Sequence, residues 1–89
     1  MMEKKFTVKN RLGLHARPAA LFVQTTSRFT SNVKVRKGSQ EVDGKSIMGL
    51  MMLAAEEGSS VTIIANGADE SKVIEAVGQL FENRFNEKE

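Results

Sequence analysis

Four short stretches that alternate apolar and polar residues constrain the fold of this chain more than any other feature. They are KKFTVK (4–9), NVKVRK (32–37), SQEVDG (39–44) and SVTIIAN (60–66). A period of two is typical of strands that bury only one face of a sheet. The glycine between the second and third stretches indicates a hairpin. We therefore predict an antiparallel sheet that is covered on one face.

Three segments with helical periodicity separate and follow these strands. They run from Ala16 to about Phe29, from Ile47 to Ala55 and from about Asp69 to Phe85. The first has the stripe Ala16, Ala19, Ala20, Val23, and the last has the apolar face Val73, Ile74, Val77, Leu80, Phe81. The order βαββαβα predicts an α+β fold, an open-faced β-sandwich in which a four-stranded antiparallel sheet has three helices on one face.

The 89 residues are expected to form a single domain, 1–89, with no room for a second core. The absence of cysteine excludes a disulfide framework, and one histidine without cysteine gives no support for a metal site. No apolar run could span a bilayer, and the N-terminus becomes charged too soon for a signal peptide. We therefore expect a cytoplasmic protein that does not insert into membranes. The last four residues, 86–89, are expected to be frayed.

The stretch RLGLHARPAA (11–20) contains the only histidine and the only proline of the chain. Proline is tolerated in the first turn of a helix, so Pro18 indicates a helix that begins near Ala16. His15 is then at the N-cap or just before it. Its ring would lie beside free backbone N–H groups, such as that of Ala16, at the positive end of the helix dipole.

This position favours a neutral, nucleophilic imidazole, because a protonated ring is disfavoured at a helix N-terminus. Arg17 adds a permanently charged fork that suits phosphate oxygens. His15 could therefore accept a phosphoryl group, with Arg17 and the helix terminus stabilising the negative charge. From the residues alone, a loop histidine without chemistry remains an equal alternative.

The motifs GLHARPAA (13–20) and KSIMGLMML (45–53), in register along the whole chain, resemble the histidine-containing phosphocarrier (HPr) family of the bacterial phosphoenolpyruvate-dependent sugar phosphotransferase system. The resemblance implies that His15 takes a phosphoryl group on Nδ1 from phospho-enzyme I and passes it to enzyme IIA proteins for sugar uptake. Arg17 would bind the phosphoryl oxygens. Leu12 departs from the small polar residue that well-known members often have, so backbone N–H groups and Arg17 would bind the phosphoryl group without it.

Ser46 precedes the second helical segment and is therefore a predicted N-cap. The resemblance further implies that an ATP-dependent HPr kinase/phosphorylase phosphorylates this serine. A phosphate is electrostatically compatible with a helix N-terminus. By the same resemblance, the modified protein would slow transfer from enzyme I and, in some hosts, act as corepressor for a catabolite control regulator, linking the chain to carbon catabolite repression.

The segment after Ser46 is apolar on nearly every side, and a short helix on a small domain cannot bury all of it. Leu50 and Leu53 are predicted to face the sheet. Ile47, Met48 and Met51 are predicted to form a partner-docking patch, because methionine adapts to several partners. The assignment of Met52 and the alternative of a fully covered helix remain open.

The leading interpretation is a phosphoryl carrier, not an enzyme with turnover of its own. The chain lacks a Walker loop, so the phosphoryl group must come from a partner, and no cofactor is expected. Leu12 keeps open a carrier for a regulatory phosphotransfer branch. A second alternative is a mainly regulatory HPr-like protein that acts through phospho-Ser46, although such paralogues typically lose the histidine.

Direct binding to nucleic acid is not expected, although Arg11, Lys34, Arg36 and Lys37 prompt the question. The net charge is only +2, and the chain has no tyrosine or tryptophan to stack on bases. These basic residues are predicted to lie on a solvated face of the sheet.

Overall fold

The computed structural model describes residues 1–87 and has four strands and three helices in the predicted order. The strands are β1 (Met2–Thr7), β2 (Asn32–Lys37), β3 (Gln40–Asp43) and β4 (Ser60–Asn66), and the helices are α1 (Ala16–Thr26), α2 (Ile47–Met52) and α3 (Glu70–Glu82). All paired strands are antiparallel, in the order β1-β4-β2-β3. The predicted fold class, an open-faced α+β sandwich, is confirmed.

One face of the sheet is buried beneath the helices, and the period of two decides which side chains lie there. In the central strand β4, Val61, Ile63 and Ala65 are buried, and the residues between them are partly exposed. The neighbouring strand β2 places Val33 opposite Ala65 and Val35 opposite Ile63. These side chains therefore form one continuous apolar layer that the helices cover.

The buried face of α1 differs from the stripe that the sequence predicts. Ala16 is exposed, and Ala20 and Val23 are only partly buried. The large ring of Phe22 is buried instead and packs edge-on against Phe81, with 6.3 Å between the ring centroids. Because burial of an aromatic ring outweighs burial of alanine methyl groups, the helix is rotated to place Phe22 in the core. The buried residues of α1 are Pro18, Ala19, Phe22, Thr25 and Thr26.

Helices α1 and α2 end at Thr26 and Met52, in each case before the predicted end. In α2 the early end has a clear cause. Ala54 adopts a left-handed backbone conformation with φ of 50°, which cannot continue a right-handed helix. Lys37 donates from Nζ to the carbonyl groups of Leu53 and Ala54, at 3.3 Å each, and so satisfies acceptors at this helix end.

The predicted apolar face of α3 is confirmed, but the helix ends at Glu82 rather than at Phe85. Its members Val73, Ile74, Val77 and Phe81 are buried, and Leu80 packs against the same core. After α3 the chain turns through Arg84–Asn86, whose three residues have left-handed φ values of 53°, 54° and 61°.

The left-handed turn returns the end of the described chain to the body of the protein. Phe85 is fully buried, with its ring 5.1 Å from that of Phe81. The expectation of a frayed end is therefore wrong for Asn86 and Glu87, because burial of Phe85 fixes the backbone on either side of it. Residues 88–89, which the same expectation covered, lie outside the described residues.

Asp69 connects the start of α3 to the start of β2. Its carboxylate accepts hydrogen bonds from the amides of Thr30 and Ser31, at 3.0 Å each, and from the hydroxyl of Ser31. These bonds, the Ser31 hydroxyl above all, lower the pKa of Asp69 from 3.8 to about 2. The ionised carboxylate is therefore favoured by folding.

We predict that Asp69→Asn lowers the free energy of unfolding at neutral pH. Because the folded-state pKa is depressed, the stabilisation is complete above the unfolded value of 3.8 and is lost as the pH falls towards about 2. Denaturant unfolding of the wild type should show this acid-dependent loss, and Asp69→Asn should show less of it. Glu75→Gln, an exposed change on the same helix, is the control. An unchanged pH profile in Asp69→Asn would contradict the prediction.

Candidate functional site

His15 is the N-cap residue of α1, as the position of Pro18 predicts. Its carbonyl accepts the first bond of the helix, from the Ala19 amide at 3.0 Å, and its ring caps no backbone group. Pro18 is the third helical residue and has no N–H. Within residues 1–87, the amides of Ala16 and Arg17 therefore point out of the helix end without a partner. This end of α1 can receive an anion.

The loop before α1 is held by backbone hydrogen bonds to the segment that precedes β4. The Val8 amide donates to the Ser59 carbonyl at 2.9 Å, and the Gly58 amide donates back to Val8 at 2.8 Å. Closer to the helix, the Leu14 amide donates to the Ala55 carbonyl at 2.9 Å. These bonds fix the backbone directly before the helix terminus, and they thereby fix the position of His15.

The His15 ring lies in a shallow depression of about 240 Å³ at the surface. The depression is lined by Leu12, Leu14, His15, Met51, Ala54, Ala55 and Glu56. The His15 side chain is 36% exposed, and that of Leu12 is exposed beside it. The site is therefore open to a large partner and does not enclose a small substrate. Leu12 contributes an apolar wall to it.

The Arg17 side chain is exposed on the first turn of α1, and its guanidinium group forms no hydrogen bond or ion pair with residues 1–87. No acidic residue occupies that turn. The structure thus places His15, Ala16 and Arg17 at one helix terminus, with the guanidinium group available to an incoming anion. No contact holds the guanidinium group against the His15 ring.

Glu87 is a member of the site that the sequence did not predict. Its Oε2 lies 2.8 Å from Nε2 of His15, and its Oε1 accepts a hydrogen bond of 2.9 Å from Nδ2 of Asn10. No local motif marks this residue, because the left-handed turn before it determines where it lies. The one available signal was Phe85, an apolar residue whose burial ties down the end of the chain.

Ser46 is the N-cap of α2, as predicted. Its Oγ accepts a hydrogen bond of 3.0 Å from the Gly49 amide, and its carbonyl accepts from Leu50. The side chain is partly exposed. Ser46 begins the helix whose last turn contributes Met51 to the depression around His15.

The surface of α2 divides as the sequence predicts. Leu50, a residue of α2, is buried, and so is Leu53, the residue directly after the helix. Ile47, Met48, Met51 and Met52 are exposed, with relative residue exposures of 42%, 70%, 41% and 67% respectively. The structure thus resolves Met52, which belongs to the exposed group. The exposed apolar surface runs along α2 and, through Met51, reaches the depression around His15.

Neither a cluster of metal ligands nor a membrane-spanning helix is present in residues 1–87. Within residues 1–87, no three His, Cys, Asp or Glu side chains cluster as the ligands of a metal ion would. The same part of the chain contains no helix with the length and apolar character needed to cross a membrane.

Comparison with known proteins gives consistent matches over nearly the whole chain. The family model "PTS HPr component phosphorylation site" matches residues 2–83. The phosphocarrier protein HPr of Xylella fastidiosa is 49% identical, with 98% of each chain covered. The HPr-like protein Crh of Halalkalibacterium halodurans is 52% identical over 86% of this chain and 92% of its own. The crystal structure of HPr-C-His from Thermoanaerobacter tengcongensis superposes with a TM-score of 0.95 at 47% identity, covering 100% of both chains.

Gly13, in the loop before His15, lies so close to the backbone of Ala55 that a larger residue would not fit. It has φ of 71°, and a Cβ at this position would lie 2.2 Å from the Ala55 carbonyl oxygen. That oxygen is the acceptor for Leu14, so a methyl group there would displace the bond that fixes the start of α1. Gly38 has a similar φ of 60° but open space around the corresponding Cβ.

We predict that Gly13→Ala lowers the free energy of unfolding by about 3 kcal/mol, through backbone strain and the steric clash together. Gly38→Ala should lower the free energy of unfolding by only about 1 kcal/mol, because it adds the strain of a left-handed alanine without a clash. Urea unfolding of both variants measures the difference. Equal destabilisation would show that the approach of Gly13 to Ala55 is not restrictive.

Proposed function

The chain belongs to the HPr family of phosphocarrier proteins, and on that premise we propose that His15 accepts a phosphoryl group on Nδ1 and passes it on. The observation that supports this most directly is the position of His15 as the N-cap of α1. The amides of Ala16 and Arg17 lie beside the ring and can stabilise negative charge that develops on the phosphoryl oxygens. The exposed Arg17 guanidinium supplies a second anion-binding group.

The donor in this proposal is phospho-enzyme I, and the acceptors are enzyme IIA proteins that serve sugar uptake. The open depression around His15 supports such a role, because a carrier must present the same atom to two different proteins in turn. We propose a carrier without turnover of its own that works in the cytoplasm and does not bind nucleic acid directly.

Docking of these partners is assigned to the exposed apolar surface of α2, formed by Ile47, Met48 and Met51. Methionine side chains repack at little cost and therefore suit successive partners. The continuity of this surface with the depression around His15, through Met51, supports the proposal. Exposed Met52 lies on the same helix, and exposed Leu12 lines the depression together with Met51.

Regulation is assigned to phosphorylation of Ser46 by an HPr kinase/phosphorylase, with a catabolite control regulator as a further partner. The partly exposed hydroxyl at a helix start supports this, because the amides of the first turn can stabilise a phosphate there. The hydroxyl currently accepts from Gly49, and a phosphate oxygen could accept the same bond.

A mainly regulatory protein that acts through phospho-Ser46 is the second candidate function. The 52% identity to an HPr-like protein named Crh favours it. The histidine at the start of α1, with open amides beside it, favours the carrier. A carrier for a regulatory phosphotransfer branch would use the same site and differ only in its partners.

We predict that incubation with enzyme I and phosphoenolpyruvate adds one acid-labile phosphoryl group, measured by intact mass before and after acid treatment. His15→Ala should gain none, because no other side chain in the proposal accepts from enzyme I. Ser46→Ala is the matched control and should be phosphorylated like the wild type. A wild type that gains no phosphate, or a His15→Ala variant that gains as much, would contradict the carrier function.

We predict that incubation with HPr kinase/phosphorylase and ATP adds one acid-stable phosphoryl group, which Ser46→Ala abolishes and His15→Ala retains. Each variant is thus inactive in one assay and active in the other. Its activity in the second assay shows that it is folded. If the kinase leaves the wild type unmodified, the role of Ser46 is limited to capping α2.

A further inference from the structure

The Glu87 carboxylate joins the His15 ring to a buried asparagine. One oxygen, Oε2, lies 2.8 Å from Nε2 of His15, and the other, Oε1, accepts from Nδ2 of Asn10 at 2.9 Å. Asn10 is fully buried, and the Glu87 side chain is 13% exposed. Both oxygens of this carboxylate are thus engaged in a place that is largely shielded from water. The arrangement is more constrained than a surface ion pair.

The fold positions Glu87 through the turn that follows α3. Three successive left-handed residues, Arg84–Asn86, reverse the chain, and burial of Phe85 against Phe81 holds the turn in place. Left-handed backbone is unfavourable for most residues other than glycine, and burial of the Phe85 ring offsets that strain. The amides of Asn86 and Glu87 also donate to the carbonyl groups of Asn83 and Arg84, at 2.9 and 3.0 Å. The turn thereby places a carboxylate from the C-terminal end of the described residues next to His15, near their N-terminal end.

The hydrogen-bond polarity of this network is determined by its two acceptors. Nδ2 of Asn10 also donates to the carbonyl oxygen of Gly13, at 2.5 Å. A flipped Asn10 amide would direct its oxygen at two other oxygens, so Nδ2 must face both Gly13 and Glu87. An ionised carboxylate can only accept hydrogen bonds, and its Oε2 therefore requires a proton on Nε2 of His15.

We propose that Glu87 is a positioning residue that holds neutral His15 in the tautomer with the proton on Nε2 and the lone pair on Nδ1. This inference deepens the proposed carrier function and rests on it. Without Glu87, the neutral ring would exchange freely between its two tautomers, and only one of them can attack through Nδ1.

The transfer step then balances as follows. The Nδ1 lone pair forms the bond to phosphorus, the bond between phosphorus and the donor's leaving atom breaks, and its electron pair stays with the donor. The Nε2 proton remains where it was, so the phosphorylated ring gains one positive charge. The Glu87 carboxylate, already bonded to Nε2, balances that charge, while Arg17 and the helix amides bind the phosphoryl oxygens.

Glu87→Gln is the most informative change, because it preserves shape but reverses one hydrogen bond. The new side chain keeps Oε1 for Asn10 and directs its NH₂ group at Nε2 of His15, which must then accept the bond. The ring proton moves to Nδ1, the atom that should attack. Glu82→Gln is the matched control, since Glu82 is an exposed glutamate that pairs with Lys9 at 3.0 Å.

The tautomer is measured on the free protein from the ¹⁵N chemical shifts of the His15 ring at about pH 9, where an ordinary imidazole is neutral. We expect the Nε2–H form in the wild type and in Glu82→Gln, and a shift towards Nδ1–H in Glu87→Gln. Glu87→Ala removes the acceptor without adding a donor and should give a mixture of the two forms. Thermal unfolding verifies that each variant is folded.

Single-turnover transfer from phospho-enzyme I should be slower in Glu87→Gln by about fivefold or more, because the rate follows the fraction of rings with unprotonated Nδ1. A tautomer ratio that matches Glu82→Gln, or an unchanged transfer rate, overturns the role of Glu87. A wild type that accepts no phosphoryl group instead overturns the carrier function, and the ¹⁵N measurement still shows which tautomer Glu87 selects.

Discussion

The start of α1 is the constraint on which the site depends. Pro18 is buried in the first turn, where its missing N–H costs nothing, and so the helix begins near Ala16 with His15 as its N-cap. The bond from the Leu14 amide to the Ala55 carbonyl fixes the chain just before that point. Together they place an imidazole at the positive end of a helix dipole, next to amides that have no partner within residues 1–87. A sequence selected for stability alone would put serine, threonine, aspartate or asparagine there.

The second helix, six residues long and preceded by its cap, has a buried side and an exposed apolar side. Ser46 caps it, Leu50 anchors it in the core, and Met48 and Met51 form an apolar surface that residues 1–87 leave exposed. Every residue of this helix is apolar or glycine, so it has no polar face to turn towards solvent. The left-handed Ala54, two residues after Met52, prevents the helix from continuing. Its last turn contributes Met51 to the depression around His15.

The prediction from sequence succeeded where a pattern is local and repetitive. The order of the strands, the buried faces of β2 and β4 and the apolar face of α3 follow from periods of two and 3.6. The first strand, predicted over 4–9, instead spans Met2–Thr7, and Val8 is buried just after it. The prediction failed where the burial of a single aromatic ring determines which face of a helix is buried or where the helix ends. In α1, Phe22 is buried with Ala19 while the other members of the predicted stripe are exposed or partly buried, and Phe85, assigned to the end of α3, leaves the helix through a left-handed turn. Periodicity treats all apolar residues alike, whereas the core selects the ones that bury the most surface.

The sequence by itself determined the order of the elements, the start of α1 near Ala16 and the cap of α2 at Ser46, because each follows from neighbouring residues and from the chemistry of proline and serine. Only the tertiary structure decided what surrounds the imidazole. Asn10 and Glu87 are separated by most of the chain, and they meet at His15 because Phe85 is buried and reverses the backbone after α3. No local pattern encodes such a contact, since it depends on how the whole core closes.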